Sequence, residues 1–274
     1  MDARMLVDGV PSELLPAADR GLLYGDGLFE TLRFVGTRAP LWARHMARLR
    51  EGCARLGLPT PDPEILHAEA VRVVAGMPHA VVRITLSRGV GPRGYAPPSM
   101  PRPTRVVAAF EAPPMHGDAY RTGLRVCWCE LRLAQQPRLA GIKHLNRLEQ
   151  VLARAEWSDP DIHEGLLRDA DDEVIGATAA NLFALVDDVL VTPSVQRCGI
   201  AGVARAEVLA CRPQARVQVL RLDMLARASE VFLSSSVRGI LPVQAVGATV
   251  YAPGPVARAL QRHWRDLGFP LEQA

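Results

Sequence analysis

Leu139-Ala140-Gly141-Ile142-Lys143-His144-Leu145-Asn146-Arg147-Leu148-Glu149-Gln150 holds the only lysine of a 274-residue chain. The other positions among its 32 lysines and arginines are all arginine. Arginine replaces lysine for solvation, ion pairing and phosphate contact. Its guanidinium stays protonated, so it cannot attack a carbonyl as a neutral amine. Schiff-base formation with a carbonyl compound is the chemistry that most demands a lysine. The count alone leaves drift toward arginine equally open, so the neighbours of Lys143 decide. After Gly141, the residues Leu145, Leu148, Val151, Leu152 and Ala155 recur at helical spacing. They predict a helix over 144–157 with that stripe turned inward. Lys143 then sits where irregular chain becomes helix, a junction that sets a reactive group on a rigid support.

Upstream of this stretch, residues 1–39 read as short strands and turns. Within them Gly21 to Thr31 packs three glycines and Asp26 between apolar residues, the mark of a tight bend or close backbone approach. Leu41–Leu58 is predicted helical, because Trp42, Met46, Leu49, Cys53 and Leu56 form one stripe. His45 and Arg48 lie beside that stripe. They could point together into a cleft, or be a satisfied histidine beside a solvated arginine. A second helix is expected over 64–75 and strands over Ala80–Ser87 and Arg105–Phe110. Pro113-Pro114 marks a linker over 114–118 between domains of residues 1–113 and 119–274.

Downstream, Leu124–Leu131 reads as a strand in which Cys127 and Cys129 share a face as small apolar side chains rather than metal ligands. A meander follows over 164–192, with turns at Asp169–Asp172 and Asp187-Asp188. Gly199 to Ala204 opens a helix whose free N–H groups and dipole suit an anion. The strand Glu230–Leu233 runs into Ser234-Ser235-Ser236, which adds hydroxyls. Arg48 offers a fork for phosphate oxygens. Each feature alone is also an ordinary cap or turn. Together with one lysine they fit a phosphorylated aldehyde.

Bulk properties narrow the class. Net charge is +3, with 22% charged residues and no basic tract interleaved with aromatics, so nucleic-acid binding is not expected. No long uninterrupted apolar run predicts a membrane span. The opening residues lack a secretory pattern. The five cysteines have no C-x-x-C spacing, which suggests reduced thiols in a cytoplasmic protein.

Several motifs, in order along nearly the whole chain, resemble the fold-type IV pyridoxal-phosphate enzymes. They are Asp19-Arg20, Gly25-Asp26-Gly27-Leu28-Phe29-Glu30, His45-x-x-Arg48-Leu49, Lys143, Ala180-Asn181-Leu182-Phe183, Thr192-Pro193 and Gly199-Ile200-Ala201-Gly202-Val203-Ala204-Arg205. That family holds branched-chain and D-amino acid aminotransferases and 4-amino-4-deoxychorismate lyases. Ser87-Arg88 through Arg93-Gly94-Tyr95, and Leu139 through Gln150, are similar to the lyase branch. The resemblance implies an α+β fold with a smaller N-terminal α/β domain and a larger C-terminal domain built on a barrel-like sheet. It implies an active site between the domains of a homodimer. Lys143 would hold pyridoxal 5'-phosphate as a Schiff base. Arg48, the backbone N–H groups of Val203 and Ala204, and Ser236 would bind its phosphate, and Asn181 would line its pocket. Arg88, Arg93 and Tyr95 would meet the two carboxylates of the substrate, unless that loop is only a turn with exposed arginines. The implied reaction converts 4-amino-4-deoxychorismate into 4-aminobenzoate and pyruvate in folate biosynthesis. The alternatives are a D- or branched-chain amino acid aminotransferase and a non-catalytic cofactor-binding scaffold.

One departure stands out. The family places a glutamate five residues before the asparagine, paired with the pyridine nitrogen; here that position is Gly176. Glu173 is three residues away, an odd offset that faces the other side of a strand. The expectation is that water or the Thr178 hydroxyl takes over.

Overall fold

Five strands and three helices build the first half of the described chain. The computed structural model describes residues 4–271. It separates into two units: one takes the chain up to Pro113 together with Ile142–Asn146, and the other takes Pro114–Gly141 and the chain from Arg147 onward. The first unit contains β1 (Met5–Val7), β2 (Val10–Pro11), α1 (Arg20–Tyr24), β3 (Gly27–Val35), α2 (Trp42–Leu56), α3 (Pro63–Val73), β4 (His79–Ser87) and β5 (Arg105–Glu111). The strands form an antiparallel sheet in the order β2-β1-β5-β4-β3. In β4, Ala80, Val82, Ile84 and Leu86 are buried, while Arg83 between them faces outward. Met46, Leu49 and Cys53 of α2, and Leu66, Ala70 and Val73 of α3, are buried where these helices pack on β3 and β5. Burying each of the leucine, valine and methionine side chains among them contributes roughly 1.5–3 kcal/mol. Asp62 caps α3 by accepting from Glu64 N–H at 2.9 Å, with Pro63 at the first helical position.

The glycine-rich segment bends tightly and approaches its neighbours closely, as expected: Gly25 caps α1 at φ 64, and a Cβ on Gly27 would collide with Leu86 O. The short strands and turns read over residues 1–39 are, around it, the helix α1 capped by Asp19 and the nine-residue strand β3. β3 is the sheet edge, and residues 143–145 cover it. Phe29 N–H donates to Lys143 O at 2.9 Å, Leu145 N–H donates to Gly27 O at 3.0 Å, and Leu28 bridges His144. The Gly27–Phe29 end of the edge is thus paired rather than left open.

The second unit contains α4 (Asp118–Arg121), β6 (Leu124–Leu133), α5 (Leu148–Arg154), β7 (Glu164–Asp169), β8 (Val174–Ala177), β9 (Asn181–Val186), β10 (Val189–Pro193), α6 (Val203–Cys211), β11 (Arg216–Gln218), α7 (Leu222–Ala226), β12 (Glu230–Ser235), β13 (Gly239–Val246), β14 (Thr249–Val250) and α8 (Pro255–Asp266). The sheet order is β11-β10-β9-β12-β13-β6-β7-β8, with β14 on β13. Parallel pairs (β6 with β7 and β13, β10 with β11) mix with antiparallel ones. Val174 N–H donates to Leu220 O at 2.8 Å, tying β8 at one end of the sheet to the chain just after β11 at the other. The sheet therefore curls into a barrel-like form. Phe183 and Phe232 stack in its core with ring centroids 5.1 Å apart, and α8 contributes the fully buried Trp264. An antiparallel sheet with helices on one face in one unit, and a larger curled mixed sheet in the other, make an α+β architecture.

The helix expected over 144–157 is shorter and turned over. It spans Leu148–Arg154, and Leu148, Val151 and Leu152 are 68%, 62% and 53% exposed, while Ala153 is buried. Periodicity identifies residues that share a face, not what that face meets. The opposite face is held instead: Glu149 Oε1 accepts from Ala134 N–H at 2.8 Å. Among the described residues no helix is long and apolar enough to cross a membrane.

Candidate active site

Lys143 is carried by the short edge segment against β3, five residues before any helix begins, so backbone pairing rather than a helix start fixes it. Its Nζ lies 4.2 Å from the centroid of the Phe29 ring. A cation held over a phenyl face is stabilised by about 0.5–2 kcal/mol. Side chains alternate along β3, so Glu30 points away from Phe29 toward α2. Glu30 is 1% exposed and takes both candidates from that helix. Arg48 Nε donates to Oε1 at 2.8 Å and Nη2 to Oε2 at 2.5 Å, while His45 Nδ1 lies 2.6 Å from Oε2. His45 and Arg48 therefore do converge, on a buried carboxylate rather than on solvent. Burial works to raise the Glu30 carboxyl, but Arg48 and His45 outweigh it and hold it near about 2. Burial pulls His45 below its ordinary value; Glu30 opposes this, and Arg48 and Lys143 add to the lowering. The cluster is an ionised Glu30, a cationic Arg48 and a neutral His45 that donates from Nδ1.

A second ionic centre in the same unit decides the fate of the expected substrate loop. Arg88 gives Nε to Asp26 at 2.8 Å, Nη1 to Gly57 O at 3.0 Å and Nη2 to Leu56 O at 2.8 Å, and is 7% exposed. Its fork is spent on Asp26 and on the last carbonyls of α2. Arg88 is therefore a strut and not a carboxylate receptor, a correction to the sequence expectation. Arg20 bonds Asp26 at 2.9 Å and ties down the backbone of Gly94, Tyr95 and Ala96. Burial raises the Asp26 carboxyl, but bonds from Arg88 and Arg20 bring it below its ordinary value. Arg93 and Tyr95 project from the loop so anchored, Tyr95 with 87% exposure and its ring 5.5 Å from Tyr24.

The second unit holds the remaining candidates. Asn181 opens β9 opposite Ser234 of β12, and its Nδ2 donates to Ile200 O at 2.9 Å. Its Oδ1 sits where a Cβ on Gly202 would be, so Gly202 has no room for a side chain. Gly202 is the N-cap of the nine-residue α6, and no side chain caps the N–H groups of Val203 and Ala204 that follow. Ser234 is 1% exposed and its hydroxyl has no hydrogen-bond partner. Cross-strand partners share a face, so that hydroxyl and the Asn181 amide line one side of the sheet. Uncapped helix N–H groups, a glycine cradle and an orphaned hydroxyl fit a phosphate group. Ser236 lies half-buried just past β12.

Gly176 lies in β8, and a Cβ there would meet only Ala180 O at 3.2 Å and Asn181 Cα at 3.8 Å. Glu173 pairs with Arg197 at 2.5 Å. Thr178, two residues on from Gly176, donates its hydroxyl to Glu164 Oε1. Glu164 is 3% exposed, and Arg238 Nη2 donates to its other oxygen at 2.8 Å. Sequence reading passed over Glu164, Arg20 and Glu30 as functional parts. Glu30 stood within a quoted motif, whereas nothing in the local pattern marks Glu164. Among the described residues no cluster of histidine, cysteine and carboxylate side chains could hold a metal ion.

Residues 27–246 match the amino-transferase class IV family. An aminodeoxychorismate lyase from Vibrio harveyi is 33% identical over 88% of this chain and 91% of its own. A putative branched-chain-amino-acid aminotransferase from Methanocaldococcus jannaschii is 28% identical, covering 91% of this chain and 89% of its own. The crystal structure of 4-amino-4-deoxychorismate lyase from Pseudomonas aeruginosa superposes with a TM-score of 0.91 at 44% identity, covering 96% of this chain and 98% of that one.

Proposed function

The chain belongs to the amino-transferase class IV family, and we propose that it acts there as an aminodeoxychorismate lyase, converting 4-amino-4-deoxychorismate into 4-aminobenzoate and pyruvate. The observation that carries an amine-based mechanism is that the single lysine is pinned by backbone bonds to β3 with Nζ against Phe29. The lyases from Vibrio harveyi and Pseudomonas aeruginosa, at 33% and 44% identity, are more similar to the chain than the putative aminotransferase from Methanocaldococcus jannaschii at 28%, which favours carbon–oxygen cleavage over amino transfer.

Lys143 would form the covalent link to pyridoxal 5'-phosphate, with the phosphate held by Arg48, the Val203 and Ala204 N–H groups and Ser236, and with Asn181 lining the pocket. When bound, that cofactor supplies an electron sink conjugated to the substrate nitrogen. Glu30 keeps the Arg48 guanidinium fixed in plane and orientation. His45 stays neutral, so it adds no further cation beside Arg48 and Lys143. As a neutral amine, Lys143 Nζ would take the proton from the ring carbon next to the substrate nitrogen. It then returns a proton to the departing three-carbon group, and the ring becomes aromatic as pyruvate leaves. Arg93 and Tyr95 stay in the proposed substrate set. A cytoplasmic homodimer, working in folate biosynthesis, is part of the same reading.

The test is to incubate the holoenzyme with 4-amino-4-deoxychorismate without any amino acceptor. Equal amounts of 4-aminobenzoate and pyruvate are expected. Activity that appears only with an added keto acid, with no pyruvate release, would overturn the reading in favour of an aminotransferase.

A further inference from the structure

The Phe29 ring carries a second cation. Arg83 Cζ lies 4.2 Å from the ring centroid, the same distance as Lys143 Nζ. The two charged groups are thus separated by at most twice that distance. The placement follows from strand register. Phe29 pairs with Thr85 and Thr31 pairs with Arg83 across β3 and β4, so all four side chains project from the face opposite the helices. Arg83 Nε donates to Thr85 Oγ1 at 3.3 Å, which orients the guanidinium. No carboxylate among the described residues pairs with Arg83, although Arg48, Arg88 and Arg105 in the same unit each have one. An exposed guanidinium beside the reactive amine, with no anion of its own, lacks one thing, and an arginine fork matches a carboxylate bidentately.

We propose that Arg83 is the receptor for a carboxylate of the substrate and fixes the substrate relative to Lys143. This rests on the lyase reading, whose substrate carries an amine and two carboxylates within one small ring system. It also explains how Arg88 can be spent on Asp26 and the end of α2. Arg83 lies within β4, whereas Arg88 lies just past its end, where its guanidinium meets Asp26 and the last carbonyls of α2.

The test compares wild type with Arg83→Leu and Arg83→Lys as holoenzymes. The cofactor absorption spectrum should be the same in all three, showing that the Lys143 linkage is intact. In Arg83→Leu, KM for 4-amino-4-deoxychorismate should rise about tenfold or more, the strength of one charge-assisted contact, with a smaller change in kcat. Arg83→Lys, which keeps the charge but loses the fork, should fall between. Equilibrium binding of 4-aminobenzoate and of pyruvate separates the two carboxylates: the product that binds more weakly to Arg83→Leu names the one held. Aniline, the same ring without a carboxylate, should bind all three proteins alike. Unchanged binding of both products, or an equal loss for aniline, would overturn the proposal. Wild type that binds 4-aminobenzoate through Arg83 but forms none from substrate would instead sink the lyase reading alone.

Discussion

Replacing Glu30 with glutamine should destabilise the protein by about 3 kcal/mol at pH 7. The carboxylate is 1% exposed and is the shared acceptor of Arg48 and His45. Burial favours its neutral form, yet its partners hold it at about 2 against an ordinary 4.5. At roughly 1.4 kcal/mol per pH unit, that difference is stability present only while the group is ionised. The figure agrees with the cost of about 3–5 kcal/mol for breaking a buried ion pair and leaving one charge uncompensated. Because the folded carboxyl ionises below the unfolded one, the contribution is complete above pH 4.5 and is lost as pH falls toward 2. The neutral His45 acts in the same direction: its imidazole titrates below 6.5, so wild type already loses stability as pH drops below that value. Thermal unfolding followed by far-UV circular dichroism should show Glu30→Gln melting roughly 6–12 °C lower at pH 7. The gap should narrow as pH falls below 4.5 and close toward pH 2. A shift below 2 °C, or a gap independent of pH, would refute the assignment of an ionised Glu30 to this cluster.

Other substitutions test the second unit. Gly202→Ala has a permitted backbone, at φ −66 and ψ 144, but drives its Cβ into Asn181 Oδ1. The cofactor dissociation constant measured by dialysis should rise about tenfold to a hundredfold, the value of one or two contacts to phosphate; unchanged affinity would remove the α6 start from the phosphate site. The Thr178 hydroxyl has committed its proton to Glu164, so toward a bound cofactor it can act only as an acceptor for a protonated ring nitrogen. Thr178→Val and Glu164→Gln should therefore shift the pH dependence of the holoenzyme's absorption, and Gly176→Glu should reverse the shift in Thr178→Val. Superimposable spectra from pH 6 to 9 would exclude Thr178 and Glu164 as the replacement for the absent carboxylate.

Much of the framework was legible because it rests on local rules. β-branched richness identified β4 and helical spacing identified α2, and the expected bounds of α2, α3, β4 and β5 fall within two residues of the observed ones. The Asp187-Asp188 turn was readable as a hairpin, and both residues adopt positive φ. What failed depended on tertiary partners. The Leu148, Val151 and Leu152 stripe keeps the expected periodicity but faces outward. Lys143 was assigned to a helix start, but pairing with β3, more than a hundred residues earlier, consumes that segment. The site divided along the same line. Lys143, Arg48, Asn181 and the α6 start could be named from motifs, since each carries a recognisable local pattern. Arg88 was misread because only the fold reveals Asp26 and the α2 carbonyls beside it. Arg83 was invisible, because an outward arginine in an alternating strand looks like a solvated one until Phe29 and Lys143 are seen next to it.

The chemistry proposed for this chain passes through one primary amine. Borohydride reduction of the holoenzyme followed by peptide mapping tests that directly, since Lys143 competes only with the chain's N-terminal amine. The expected result is one phosphopyridoxyl group per chain, on Lys143 in the peptide containing Gly141-Ile142-Lys143-His144. A label confined to the N-terminus, with Lys143 unmodified, would contradict the account.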